Sequence, residues 1–175
     1  MRQFYKTQEL RKQEAEKQFE NHIKEHELLI YKVCRVYAFT EADRQDLFQE
    51  IVMQLWKAFP RFKGDAKFST WLYRVSLNTA ITGLRKKKDI IQSFEPASLP
   101  TNISDENLNQ QQEERLQQMY LAIEQLNQLE KAVVMLYMED RSYEEMEEIL
   151  GISQGNLRVK MNRIKEKLSK LTKNN

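Results

Sequence analysis

The chain has 175 residues, a length that suits one domain or two small ones. It contains only four glycines and three prolines, which favours helices throughout and excludes a turn-rich β architecture. A single cysteine excludes an internal disulfide or a multi-cysteine metal site, and a formal charge of +2 does not by itself indicate nucleic-acid binding. Because the chain also lacks an apolar run long enough for a membrane span or a signal peptide, we expect a cytoplasmic protein.

Residues 1–18 form a charged leader, which either extends the next helix or frays and carries no recognisable chemistry. From Phe19 to Tyr37 the apolar side chains fall at spacings that share one helical face, which predicts an amphipathic helix. A second helix is predicted from about Asp43 to Phe59, with Pro60 as its terminator.

A third helix is predicted after a short basic and aromatic loop that contains Gly64, with Ser69 or Thr70 as its cap and about Lys88 as its end. Its apolar stripe consists of Tyr73, Leu77, Ala80, Ile81 and Leu84, and the opposite, exposed line consists of Trp71, Val75, Asn78, Thr82 and Arg85. Phe62, Lys63, Lys67 and Phe68 precede that line. Aromatic rings and cations are what unstacked bases beside a phosphate backbone require, although helical spacing alone favours a core position for Trp71.

The composition changes between residues 89 and 114. This segment has two prolines, no lysine or arginine, and six acids: Asp89, Glu95, Asp105, Glu106, Glu113 and Glu114. Such a composition predicts a flexible acidic linker between two helical modules, residues 19–88 and 115–175.

The second module ends in a predicted helix-turn-helix. Ser142 with Glu145 matches a capping box, Gly151 follows that helix as its left-handed cap, and a basic helix runs from Gln154 to about Leu171. Its packing stripe is Leu157, Met161, Ile164, Leu168 and Leu171, which turns Gly155, Val159, Asn162 and Glu166 outward between Arg158 and Arg163. Seven cations against one acid after residue 150 favour contact with DNA, and a solvated face of a plain helical bundle is the alternative.

Three blocks carry a resemblance that covers roughly Phe19 to Leu171. They are DLFQEIVMQLWKAF, FSTWLYRVSLNTAITGLRKKK and LEKAVVMLYMEDRSYEEMEEILGISQGNLRVKMNRIKEKL, and in this order they resemble extracytoplasmic-function (ECF) sigma factors. The resemblance implies an all-α protein of two small domains, sigma region 2 and region 4, joined by the linker. It further implies a transcription initiation factor that is no enzyme, needs no cofactor, and binds core RNA polymerase and promoter DNA.

The resemblance also assigns roles to individual residues. Those expected on the β′ clamp helices of the polymerase are Asp46, Gln49, Glu50 and Gln54. Those expected on the minus-ten element are Phe62, Lys63, Lys67, Phe68, Trp71, Arg74, Val75, Asn78 and Arg85. Those expected on the minus-thirty-five element are Asn156, Arg158, Val159, Lys160, Asn162 and Arg163. The polymerase β flap and an anti-sigma factor are further expected partners.

The chain departs from the family pattern at two places. Thr82 stands where the family often has aspartate, and Gly155-Asn156-Leu157 stands where Gly-Thr-Val is usual. Asn156 can still donate to a phosphate, whereas Val159 offers only apolar contact, such as with a thymine methyl group. These residues therefore do not define which promoter sequence is read.

Two other classes of protein compete with this interpretation. A stand-alone helix-turn-helix regulator would bind an operator by itself, usually as a dimer, and would not need the first module. An enzyme with a metal on His22 and His26 would need a third ligand at a matching spacing, and Glu25 is misplaced for the usual zinc-helix motif. We therefore expect no metal site.

Overall fold

The computed structural model describes residues 2–91 and 121–173, and the side chains within 13–83 and 121–170. The elements in chain order are α1 (Arg2–Tyr37), α2 (Glu41–Ala58), a 3-10 helix (Phe59–Arg61), α3 (Phe68–Ile91), α4 (Gln128–Met138), α5 (Tyr143–Leu150) and α6 (Gln154–Lys173). Residues 121–124 are also helical, and neither described range contains a strand. Most of the predicted linker and residues 115–120 lie outside the described residues. Among the helices described, none is long and apolar enough to cross a membrane.

The first two helices follow the predicted pattern, with shifted ends. The backbone of the leader continues α1, which begins at Arg2. Thr40 caps α2, since its hydroxyl accepts a hydrogen bond of 3.0 Å from the backbone N–H of Asp43. Pro60 lies inside the 3-10 helix that follows, because its fixed φ and missing N–H fit the first turn of a new helix.

The start of α3 corrects the sequence prediction. The helix begins at Phe68, so Ser69 and Thr70 lie inside its first turn and neither is its cap. The backbone N–H of Trp71 donates to the carbonyl of Lys67 at 3.1 Å, so Lys67 is the N-cap residue that precedes the helix. Thr70 is instead buried. At its other end α3 continues to Ile91, three residues beyond the predicted end at Lys88.

The predicted capping box and the predicted end of α5 are confirmed. Asn127 with Glu130 and Ser142 with Glu145 both form complete capping boxes, in which each side chain satisfies the other residue's backbone N–H. Gly151 ends α5 at φ 68°, a left-handed conformation that glycine adopts without the strain other residues incur.

One continuous apolar core joins the helices of both modules. Its fully buried members include Ile30, Val33 and Tyr37 of α1, Ile51 and Leu55 of α2, Leu72, Tyr73 and Leu77 of α3, Val133 and Leu136 of α4, Met146 of α5, and Leu157 and Ile164 of α6. Helix α3 packs against α1 and α2 on one side and against α4 and α5 on the other. The Tyr37 hydroxyl donates to the backbone carbonyl of Gln128 at 2.7 Å, so the two modules share a hydrogen bond at this junction.

Burial in this core changes the titration of three side chains. Burial raises the pKa of the Cys34 thiol to about 11 and that of the Tyr73 hydroxyl to about 12, with a smaller contribution at Tyr73 from the charge of Glu139. The pKa of Tyr37 is also raised by burial. Each group therefore stays protonated in the folded chain at pH values where it ionises in the unfolded chain.

We expect the free energy of unfolding to fall as the pH rises above about 9, since the unfolded state then binds fewer protons than the folded state. Tyr73→Phe should reduce this fall between pH 10 and 12, by up to about 2 to 3 kcal/mol, because one raised pKa is removed. Urea unfolding of both proteins across this pH range measures the difference. Parallel pH profiles would contradict the assignment.

Candidate nucleic-acid interface

An aromatic cluster lies where the loop after the 3-10 helix meets the start of α3. The ring centroids of Phe62 and Trp71 are 5.0 Å apart, those of Phe68 and Trp71 5.2 Å, and those of Phe62 and Phe68 5.5 Å. Phe59 packs behind them, 6.5 Å from Trp71. Gly64 turns the loop with φ 78°, which allows the chain to fold the rings together within six residues.

Trp71 is less exposed than the sequence predicted. Trp71 and Val75 are half-buried and pack against the core, so the prediction of one fully exposed line on α3 is wrong for these two residues. It is right for Asn78 and Thr82, which are exposed. Trp71 keeps part of its surface exposed, and Lys63 and Lys67 of the preceding loop are both exposed. Arg85 belongs to α3, but its side chain lies outside the described side chains.

Two cations of this surface contact the second module. Lys67 Nζ lies 3.6 Å from a carboxylate oxygen of Glu145, and the guanidinium of Arg74 donates to the backbone carbonyl of Glu148. Both acceptors belong to α5, whose sequence YEEMEEIL carries four glutamates. The Ser142 backbone N–H, together with Arg141 and Lys67, holds the pKa of the Glu145 carboxyl below its usual value. The carboxylate is therefore charged at neutral pH.

The helix-turn-helix has the predicted faces. On α6 Leu157, Met161 and Ile164 are buried, and Leu168 packs partly against them. The outward residues Asn156, Arg158, Val159, Asn162 and Arg163 are all exposed, and Val159 is 50% exposed despite being apolar. Lys160 is half-buried at the edge of this surface.

Neighbouring side chains orient part of the α6 surface. The guanidinium of Arg158 lies 4.9 Å from the centre of the Tyr143 ring, and its nitrogen is 3.5 Å from the side-chain oxygen of Gln154. Lys167 pairs with Glu130 at 3.1 Å, which ties α6 to the start of α4. Arg158 is thereby pre-positioned at the start of the helix, beside the turn.

The outer face of α2 brings together the residues expected to contact a protein partner. Asp46 and Gln49 are exposed, and the Gln54 amide donates to the Glu50 carboxylate at 2.7 Å, which fixes those two half-buried side chains to one another. Ile51 and Leu55 face the core on the other side of the helix.

Sequence reasoning missed two apolar residues on this face. Met53 is 44% exposed and Trp56 is 37% exposed, although both side chains are large. Helical spacing could have identified Met53. It lies three residues after Glu50 and four after Gln49, and therefore on the same helical face. Exposed methionine and tryptophan beside polar groups are typical of a protein contact.

The two helical modules match known protein families. Residues 22–90 match the family model of Sigma-70 region 2, and residues 116–168 match that of Sigma-70, region 4. The ECF RNA polymerase sigma-E factor of Escherichia coli strain K12 is 30% identical over 135 residues, 71% of each chain. The ECF RNA polymerase sigma factor SigW of Bacillus subtilis is 25% identical over 161 residues, 81% of each chain.

Two solved structures share the fold. The sigma factor RpoE of Bartonella quintana, in complex with the anti-sigma factor NepR, aligns with a TM-score of 0.74 at 19% identity, over 90% of this chain and 98% of that one. CnrH, in complex with the cytosolic domain of CnrY, aligns with a TM-score of 0.65 at 19% identity, over 91% of this chain and 90% of that one. Both modules and their order are thus matched, and the chain belongs to the extracytoplasmic-function (ECF) family of RNA polymerase sigma factors.

Proposed function

We propose that this chain binds core RNA polymerase, recognises a promoter through both modules, and directs transcription initiation by opening the minus-ten element. The observation that carries the proposal is the pairing of an aromatic cluster and a cation-lined helix-turn-helix in one chain, on segments that match regions 2 and 4. As such a factor it would act in the cytoplasm, where the polymerase is, and would catalyse no reaction of its own.

The α6 surface would read the minus-thirty-five element. A recognition helix needs cations for phosphates and a few side chains that reach base edges. Arg158 and Arg163 supply the charge, Asn162 supplies an amide between them, and the exposed Val159 offers a surface for a thymine methyl group. Asn156 and Lys160, nearer the edges of the surface, would contact phosphates.

The aromatic cluster would hold the opened minus-ten element. Unstacking a base costs a few kcal/mol, and stacking on an aromatic ring returns about 1 to 3 kcal/mol per base. Phe62, Phe68 and the partly exposed Trp71 provide such rings, and Asn78 is exposed two turns further along α3. Lys63, Lys67, Arg74 and Arg85 would neutralise phosphates next to them, and Val75 would support the indole from below.

The outer face of α2 would dock on the β′ clamp helices of the polymerase. Asp46, Gln49, Glu50 and Gln54 provide polar contacts, and Met53 adds the apolar centre that a stable protein interface needs. The second module would contact the β flap. Residues 89–114 would connect the two modules across the polymerase, and their negative charge suits a channel built for nucleic acid.

An anti-sigma factor is the expected regulator. The solved relatives RpoE and CnrH are each described with a second protein, the anti-sigma factor NepR and the cytosolic domain of CnrY. We extend this type of partner to the present chain.

A stand-alone operator-binding regulator is the alternative function. It explains the α6 surface but gives no role to the aromatic cluster or to the α2 face. It also predicts tight binding to duplex DNA in the absence of polymerase.

Arg163→Ala should weaken recognition of the upstream promoter element by about 1 to 3 kcal/mol, because an exposed cation on the reading face is lost. The measurement is promoter-dependent transcription with purified core polymerase at several salt concentrations. Lys24→Ala removes an exposed cation of α1 outside the proposed surfaces and should leave initiation unchanged. Equal losses in both variants would contradict a specific role of Arg163 in reading the promoter. Tight binding of promoter duplex by the chain alone, measured in parallel, would favour the alternative.

Asn78→Ala and Trp71→Phe should slow promoter opening while leaving closed-complex formation intact, since both changes act on the surface for unpaired bases. Permanganate reactivity of thymines in the minus-ten element reports the opening. A template with a preformed mismatch bubble should restore initiation. If the bubble template gives no rescue, the assignment of this surface to melting is wrong.

Asp46→Asn and Met53→Ala should each lower the affinity for core polymerase, with the methionine change costing about 1 kcal/mol or more. Fluorescence anisotropy of labelled protein titrated with core polymerase measures the dissociation constant. Glu20→Gln, which removes an exposed carboxylate of α1, is the matched control. Unchanged affinities in both α2 variants would move the docking surface elsewhere.

A further inference from the structure

One turn of α1 gathers three side chains that are all able to bind a metal ion. His22, Glu25 and His26 each offer a ligand atom, and these three atoms lie within 4.8 Å of one another. The spacing of four between the histidines and of three between His22 and Glu25 puts all of them on one helical face. Glu25 does not match the usual zinc-helix motif, but the folded helix places its carboxylate beside the histidine pair.

The two imidazole rings are held in place by their neighbours. His22 stacks on Phe68 with ring centroids 4.3 Å apart and an angle of 16° between the planes. The centroid of His26 is 5.1 Å from the same ring. His26 Nδ1 lies 3.0 Å from the backbone carbonyl of His22, so with the proton on Nδ1 the ring donates to that carbonyl and leaves Nε2 free as a ligand.

We infer that His22, Glu25 and His26 form a site for a late first-row divalent transition metal. Two imidazoles with one carboxylate suit Zn²⁺, Co²⁺, Ni²⁺ or Cu²⁺, whereas Mg²⁺ and Ca²⁺ prefer sites made of oxygen ligands alone. The histidines are half-buried and Glu25 is exposed, so the ion would lie at the surface with at least one position left for water. Hydrogen bonding to the helix backbone would orient His26 as it does in established metal sites.

The position of the site connects it to the aromatic cluster. Phe68 contacts both histidines on one side and Trp71, at 5.2 Å, on the other. A metal ion that fixes the two imidazoles therefore restrains the ring on which they lie. Metal binding should stabilise the folded chain by mass action and reduce the mobility of Phe68 and Trp71. Any effect of this restraint on promoter opening rests on the proposed function, but the metal site itself does not.

The test uses untagged, chelator-treated full-length protein titrated with Co²⁺ and with Zn²⁺. Saturable binding of one ion, with visible absorption of bound Co²⁺, a raised melting temperature in Zn²⁺ and a change in Trp fluorescence, is expected. His22→Gln and His26→Gln should each weaken the affinity at least ~10-fold, and Glu25→Gln should weaken it less. Glu27→Gln, an exposed neighbour on α1 that is no ligand, should bind like the native chain.

Two outcomes would overturn the inference. One is the absence of saturable binding by the native chain. The other is binding that survives both histidine substitutions with unchanged affinity, which would place the ion elsewhere. Circular dichroism of each variant distinguishes loss of the ligand from loss of the fold. Since no polymerase or DNA is used, failure of this test would leave the proposed function untouched, and failure of the transcription experiments would leave the metal site untouched.

Discussion

The burial of one stripe of α3 is the constraint on which the rest of the first module depends. Leu72, Tyr73 and Leu77 are almost completely excluded from solvent, and burial of each leucine side chain contributes about 1.5 to 3 kcal/mol. Their burial fixes the rotation of the helix about its axis. Once that rotation is set, Asn78 must face solvent and Trp71 must lie at the boundary between core and surface. The aromatic cluster is therefore oriented by the packing behind it.

In the second module, the turn at Gly151 and the buried face of α6 together determine which residues face solvent. The left-handed residue at Gly151 redirects the chain between α5 and α6, and the buried stripe of α6 then sets which residues face outward. Two capping boxes hold the starts of α4 and α5, so each of these helices begins at a defined residue. The exposed line from Arg158 to Arg163 is a consequence of this scaffold, and contacts with Tyr143 and Gln154 further orient Arg158 within it.

Local signals allowed much of this fold to be predicted. Capping boxes and helical periodicity depend on residues within one or two turns, which is why the ends of α5 and the faces of α6 were correct. The start of α3 was wrong because Thr70 is buried inside the first turn of the helix, and this burial outweighed its preference for a cap position. The exposure of Trp71 was wrong because three phenylalanines, from the 3-10 helix, the loop and the start of α3, pack around it. Contacts of Lys67 and Arg74 with α5 join residues more than 70 positions apart, and periodicity carries no information about them.

Those long-range contacts also bear on how the chain would engage DNA. Lys67 is 77% exposed in its pair with Glu145, and exposed ion pairs of this type contribute about 0 to 1 kcal/mol. A cavity of about 210 Å³ remains between α1 and α4, so the packing between the modules is incomplete there. Phosphate oxygens of DNA can replace carboxylate and carbonyl oxygens as partners of the same cations. When these cations bind the phosphates, counterions are released from the DNA. Lys67 and Arg74 are thus held to α5 by contacts that are individually weak. Separating the modules would also expose the apolar core that they share and break the hydrogen bond between Tyr37 and Gln128, so the shared core, and not these two cations, holds the modules together.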